Sequence, residues 1–225
     1  MTMKHDRERQ APLESEMAAL FAAKTKFLIL DTETTGLLKD PDAQVIEVSC
    51  IYQDGKIAFS SLVKPDRPVP EAASKIHGLT DADLVDAPTF AEFWPFFIRV
   101  LNLYPTIYCY NQAFDFGMIQ KTAQYYHLPL PKILKQQRHW RCMMLKYAEY
   151  HGESGLYGDY KWQSLSKACA QMYVPMSEAH RATGDCLSTL ALMKALAAKH
   201  NPGVQESAPP DEAFLDTDEY GDHPF

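Results

Sequence analysis

The chain is poor in the features that would make it a stapled, secreted or membrane-bound protein. It has only five cysteines among 225 residues, Cys50, Cys109, Cys142, Cys169 and Cys186. No CxxC pair occurs, and the surroundings are mostly apolar, so buried free thiols in a reducing compartment are expected rather than zinc or a disulfide framework. No apolar run approaches the length of a membrane span. The charged start MTMKHDRERQ and the brief run MAALFAA after it do not make a secretory leader. A cytoplasmic protein without membrane association is expected. Internal repeats are absent. A surplus of basic charge, the usual source of nucleic-acid affinity, is also lacking: the formal net charge is −7.

That deficit is unevenly placed. Residues 201–225 contain seven acids (Glu206, Asp211, Glu212, Asp216, Asp218, Glu219, Asp222) and no Lys or Arg. Removing them from the total of 29 acids leaves 22, against 22 Lys plus Arg in residues 1–200. The body is neutral, which permits a local basic groove. From Asn201 onward Pro, acids and small residues dominate, predicting a disordered acidic tail. The expected organisation is a polar lead over 1–24 with a short helix from Leu13 to Ala23, one folded domain over 25–200, and the tail over 201–225.

Hydrophobic patterning orders the elements. KFLIL (26–30) is a continuous apolar run of strand length ending at Asp31, which reads as a buried central strand. QVIEVSCIYQ (44–53) and KIAFSSLV (56–63) flank Asp54-Gly55, a dipeptide suited to the positive φ of a tight hairpin. KPDRPVP (64–70) reads as a surface loop. Thr89 to Leu103 spaces Phe90, Phe93, Trp94, Phe97, Ile98 and Leu101 as a core-facing helix, with a base-stacking platform as the alternative. Pro95 within it should kink the helix or delay its start. TIYCY (106–110) is a second buried strand and Phe114 to Tyr126 a helix. Trp140 to Tyr147 holds an edge strand and a helix start, and Trp162 to Met172 and Gly184 to His200 are closing helices. The hairpin excludes an all-parallel sheet, so the fold class is α/β with a mixed sheet flanked by helices.

Three segments carry candidate chemistry. In DTETTG (31–36), alternation along the strand puts Asp31 and Glu33 on one face and Thr32 on the other. Two neighbouring carboxylates repel unless a cation lies between them, and hard divalent ions suit oxygen ligands. The same residues would also make an ordinary polar strand end. In YNQAFDFGMI (110–119), Asp115 stands near the start of a helix after the second buried strand. It can join the other carboxylates at one sheet edge or merely complement the helix dipole. Asn111 reads as a helix cap, with a substrate contact as the alternative. In HRATGDC (180–186), His180 lies five residues before Asp185, on the loop entering the last helix. A histidine there suits a proton acceptor, since its ordinary pKa of about 6.5 lies near neutrality, with a solvated surface residue as the alternative.

DxE after the first strand, NxxFD after the fourth and HxxxxD at the last helix resemble the motifs of the DEDDh 3′→5′ exonucleases. This DnaQ-like family includes the epsilon subunit of DNA polymerase III, exonuclease X and ribonuclease T. VIEVSCI (45–51) and LVKPDRPVPEAASKIHGLTDADL (62–84) extend the similarity to residues 26–198. The resemblance implies a ribonuclease H-like fold with a five-stranded sheet in the order 3-2-1-4-5. It implies that Asp31, Glu33, Asp115 and Asp185 hold two Mg²⁺ or Mn²⁺ ions and that His180 is the general base. Such a pair would activate water and stabilise the departing 3′-oxygen, releasing nucleoside 5′-monophosphates. Thr34, Leu37, Ile76 and His77 match positions around the terminal nucleotide, while Tyr110 departs from the His often found before NxxFD. The implied substrates are single-stranded DNA or 3′ ends, with RNA as an alternative. A polymerase-associated proofreading subunit and a non-catalytic binding module are the competing readings. The terminal Pro224-Phe225 after acidic residues suggests a DNA-processing protein partner, cover for the chain's own groove, or simple solubilisation.

Overall fold

The computed structural model describes residues 3–23, 26–156, 159–177 and 180–200; the tail over 201–225 lies outside them. In chain order the elements are α1 (Met3–Ala22), β1 (Leu28–Thr34), β2 (Val45–Tyr52), β3 (Ile57–Leu62), α2 (Glu71–His77), α3 (Asp81–Leu84) and α4 (Phe90–Asn102). They continue with β4 (Ile107–Cys109), α5 (Gln112–Tyr125), α6 (Lys132–Lys135), β5 (Trp140–Cys142), α7 (Met143–His151), α8 (Leu165–Gln171) and α9 (Ala182–His200). The five strands form one sheet in the order β3-β2-β1-β4-β5, as the resemblance implied. β1 runs antiparallel to β2 and parallel to β4, and β5 runs parallel to β4.

Helices cover both faces of the sheet, which is why β1 needs an unbroken apolar run. Leu28, Leu30, Val48, Cys50, Ile107 and Cys109 pack against Phe90, Phe93, Trp94, Phe97 and Leu101 of α4 and Met118, Ile119 and Ala123 of α5. The intervening positions Phe27, Ile29, Ile51, Tyr108 and Tyr110 point the other way. They meet Met17 of α1, Met143 and Tyr147 of α7, Cys169 of α8, and Cys186, Leu190, Met193 and Leu196 of α9. All five thiols are free, and all but Cys142 are buried.

The hairpin closes as its sequence demands. Gly55 adopts φ 90°, Asp54 Oδ1 accepts from the Lys56 N–H at 3.0 Å, and the Tyr52 N–H donates to the Lys56 carbonyl at 2.8 Å. α4 starts at Phe90 without delay, because Thr89 and Glu92 form a reciprocal capping box. Pro95 is accommodated inside the helix just beyond its first turn. The first helix begins well upstream of Leu13. Its polar half is held by side chains rather than by an apolar stripe: Arg7 pairs with the buried Glu14 at 2.7 Å, and Arg9 donates to the Glu149 carbonyl at 2.6 Å at the end of α7.

One feature of the register shapes the functional edge. Leu28 and Ile29 pair with Ile107 and Tyr108, and β4 ends at Cys109, level with Leu30. Beyond Leu30, β1 continues to Thr34 paired, among the described residues, with β2 alone, and the start of α5 stands beside this stretch, where Asp115 meets Thr32.

Candidate active site

Asp31 and Glu33 lie on the face of β1 covered by α9, and Asp185 faces them from the first turn of that helix. One carboxylate oxygen from each of the three lies within 4.8 Å of the others. Asp115, in the first turn of α5, is buried; it is not one of the three acids whose oxygens meet within 4.8 Å, although its charge raises Asp31. Thr32 ties Asp115 to β1. Its side chain points away from Asp31 and Glu33, and its hydroxyl donates to Asp115 Oδ1 at 2.8 Å, fixing the carboxylate at the sheet edge.

Crowding shows in the protonation equilibria. Glu33 is pushed up to about 8, first by burial and then by the charges of Asp185, Glu47 and Asp115. Asp31 is raised well above the ordinary carboxylate range by burial, then by Asp115, Glu33 and Asp185. Burial lifts Asp115 to about 7 against the opposing hydrogen bond from Thr32. Burial also lifts Asp185 to about 6, against the pull of His180. Asp185 Oδ1 is buried and without a hydrogen-bond partner. Buried carboxylates are ordinarily satisfied, so four acids with raised pKa values and an orphaned acceptor fit a site made for divalent cations.

The remaining residues singled out in the sequence are distributed around this cluster. His180 precedes α9, is exposed, and has φ 59°. His77 is buried at the end of α2. Its Nδ1 accepts from the Leu79 N–H at 3.0 Å, its Nε2 is buried, and burial lowers its pKa against the opposing hydrogen-bonding pull of the Thr34 backbone. The neutral ring therefore carries its proton on Nε2. Ile76 is exposed and Leu37 half-buried. Thr34 is buried and donates its hydroxyl to the Gly36 carbonyl at 2.8 Å, so that hydroxyl serves the turn. Asn111 occupies the N-cap position of α5, but its side chain makes no capping hydrogen bond. The cap expected from its residue type is not formed.

Three contributors escaped the sequence reading: Thr32, Glu47 and Arg181. Glu47 is the residue on β2 directly opposite Glu33, and it is buried. It accepts from Arg181 Nε at 3.1 Å, Arg181 Nη2 at 2.9 Å and the Ala182 N–H at 3.2 Å. The signal was a single acid within the apolar run VIEVSCI, since a charge in a central strand requires a partner.

Comparison with known proteins agrees with this geometry. The RNase T family model, described as Exonuclease, matches residues 28–193. An uncharacterized exonuclease, CP81, of Escherichia phage 186 is 37% identical over 174 residues, covering 76% of this chain and 87% of the phage protein. The DNA polymerase III subunit epsilon of Treponema pallidum is 28% identical, with 77% of each chain covered. Among solved structures, exonuclease X in complex with 5′ overhanging duplex DNA superposes with a TM-score of 0.51 at 26% identity, covering 79% of this chain and 94% of that one. Exonuclease I of E. coli in complex with a dA16 oligonucleotide shares the fold, with a TM-score of 0.62 at 18% identity over 80% of this chain and 42% of that chain.

Proposed function

Because the chain belongs to the RNase T exonuclease family, a family of nuclease hydrolases, we propose that it is a metal-dependent 3′→5′ exonuclease of the DEDDh type acting on DNA. The observation that carries this reading is the convergence of Asp31, Glu33 and Asp185 within 4.8 Å, supported by Asp115, which Thr32 of the same strand holds by a hydrogen bond and whose charge acts on Asp31. These four side chains would hold two Mg²⁺ or Mn²⁺ ions, whose chemistry is to make water a nucleophile near neutral pH and to stabilise a leaving oxygen at phosphorus.

The chain's own residues divide the remaining work. His180 accepts the proton of the attacking water, and its exposed place ahead of α9 lets the imidazole reach a scissile phosphate at the cluster. Leu37 and Ile76 offer apolar surface to the terminal base. The Nε2–H of His77 and the side chain of Asn111 are polar groups for its sugar and phosphate. Thr34 shapes the turn that presents Leu37. The product is a nucleoside 5′-monophosphate.

The test is a 5′-labelled single-stranded DNA oligonucleotide incubated with protein and Mg²⁺ or Mn²⁺, with duplex DNA and RNA as parallel arms. A ladder shortening from the 3′ end, with free nucleoside 5′-monophosphate and arrest by chelator, is expected. Internal cuts, release from the 5′ end or full activity in chelator would each overturn the reading. Similarity to a polymerase subunit over most of both chains favours one further role, proofreading beside a polymerase. Co-purification with a polymerase is its measurement.

A further inference from the structure

We propose that Glu47, through Arg181, is a positioning residue that sets the place of His180; the proposal rests on His180 being the general base. The first turn of a helix leaves backbone N–H groups unsatisfied, and the Ala182 N–H at the start of α9 is held by a side chain from another element. Glu47 supplies that hold from the middle of β2. One of its oxygens accepts from the Ala182 N–H and Arg181 Nε, and the other accepts from Arg181 Nη2. A planar guanidinium gripping both oxygens of a buried carboxylate fixes orientation as well as distance.

The clamp acts on the residues immediately before α9. His180 has φ 59°, a left-handed conformation that side chains with a β-carbon adopt at a cost. It persists where neighbours on the chain are anchored, and Arg181 and Ala182 are anchored by Glu47. The turn carrying Asp185 has separate ties. Thr183 Oγ1 donates to Ser49 Oγ at 2.9 Å, and the Cys186 thiol lies 3.5 Å from the Ser49 carbonyl and 3.6 Å from that of Ile29. Asp185 is also joined to the clamped segment, its N–H donating to the Arg181 carbonyl at 2.9 Å and its carboxylate meeting the His180 backbone. When the clamp loosens, the ties to Ser49 and Ile29 are what keep Asp185 at the cluster while His180 is released.

Glu47 and Arg181 carry opposite charges and lie 2.9 Å apart. The paired ions offset each other, so removing both together perturbs the cluster's charge less than removing either.

The experiment uses the full chain in five forms: wild type, Glu47→Gln, Glu47→Gln/Arg181→Met, His180→Ala, and the triple variant. Each is assayed for kcat and KM on a 5′-labelled single-stranded DNA oligonucleotide, for Mn²⁺ affinity, and for Tm. In the charge-neutral double variant we expect kcat to fall by about 100-fold, the scale of a catalytic group displaced by about 1 Å. KM should stay within about twofold and Mn²⁺ affinity within about threefold of wild type. Added to His180→Ala, the same two substitutions should cost less than about twofold more, because residues acting as one unit are not additive. Single Glu47→Gln keeps an acceptor for the Ala182 N–H and should retain more activity than the double variant; it also serves if the double variant folds poorly. Full multiplication of the two losses, or a clamp variant with kcat near wild type, overturns the positioning role alone. A His180→Ala protein at the wild-type rate overturns both this role and the assignment of the base.

Discussion

Replacing Glu33 with Gln should stabilise the metal-free protein at alkaline pH, although the same change removes a residue assigned to metal binding. Glu33 has a folded-state pKa raised from 4.5 to about 8, chiefly by burial and then by its acidic neighbours. Below pH 4.5 the folded and unfolded chains both hold the proton, and Glu33 costs nothing. Between 4.5 and 8 the folded chain keeps a proton that the unfolded chain releases, so stability falls as pH rises; the penalty is complete above 8. At about 1.4 kcal/mol per pH unit between the two values, the ceiling is about 5 kcal/mol. The shift belongs to the interacting set of Asp31, Glu33, Asp115 and Asp185 and only partly to Glu33, so a gain of about 2 to 4 kcal/mol is expected. For a domain of this size that corresponds to a rise in Tm of about 4 to 16 °C. The assay is thermal and urea denaturation of both proteins in chelator at pH 4, 6 and 8.5. The advantage of the variant should be absent at pH 4 and largest at 8.5, and saturating Mn²⁺ should reverse the order by stabilising wild type more. Equal stabilities at pH 8.5 in chelator, or a less stable variant, would refute the electrostatic account of the cluster.

Thr32→Val keeps the shape of the side chain but deletes the hydrogen bond to Asp115 Oδ1; turnover should fall about tenfold. Since that bond lowers the Asp115 pKa from where burial alone would put it, half-saturation with Mn²⁺ should move to higher pH, as a titration series would show. Phe97→Ala empties the fully buried centre of α4 and should cost about 3 to 5 kcal/mol in urea unfolding, with Mn²⁺ affinity measured on the folded fraction unchanged.

Periodicity made the fold readable where burial is complete. The run KFLIL, buried on both faces from Phe27 to Leu30, announced a central strand, and Asp54-Gly55 announced the hairpin because few residues other than Gly take the φ of 90° seen at Gly55. The first helix was legible only in its apolar half, since Arg9 holds the rest through a contact 140 residues away in the chain. At the site, alternation along β1 placed Asp31 and Glu33 together and assigned Thr32 to the other face. What alternation could not show was that Thr32 would meet Asp115, because that depends on β4 ending level with Leu30. Glu47 was hidden for a similar reason. Its partner Arg181 is 134 residues away in the chain, and only the β1–β2 register reveals that it stands opposite Glu33. Asn111 was misread as a capping side chain because residue preference outweighed the unseen geometry of the α5 start.

The most direct measurement is a count of Mn²⁺ ions bound at pH 8 by wild type, Asp31→Asn and Asp185→Asn, read by electron paramagnetic resonance in the presence of a nucleoside 5′-monophosphate. Wild type should bind two ions, and each variant should lose at least one with affinity reduced by about 10-fold or more. Undiminished binding of two ions by both variants, or no binding by a folded wild-type protein, would contradict the assignment of these carboxylates.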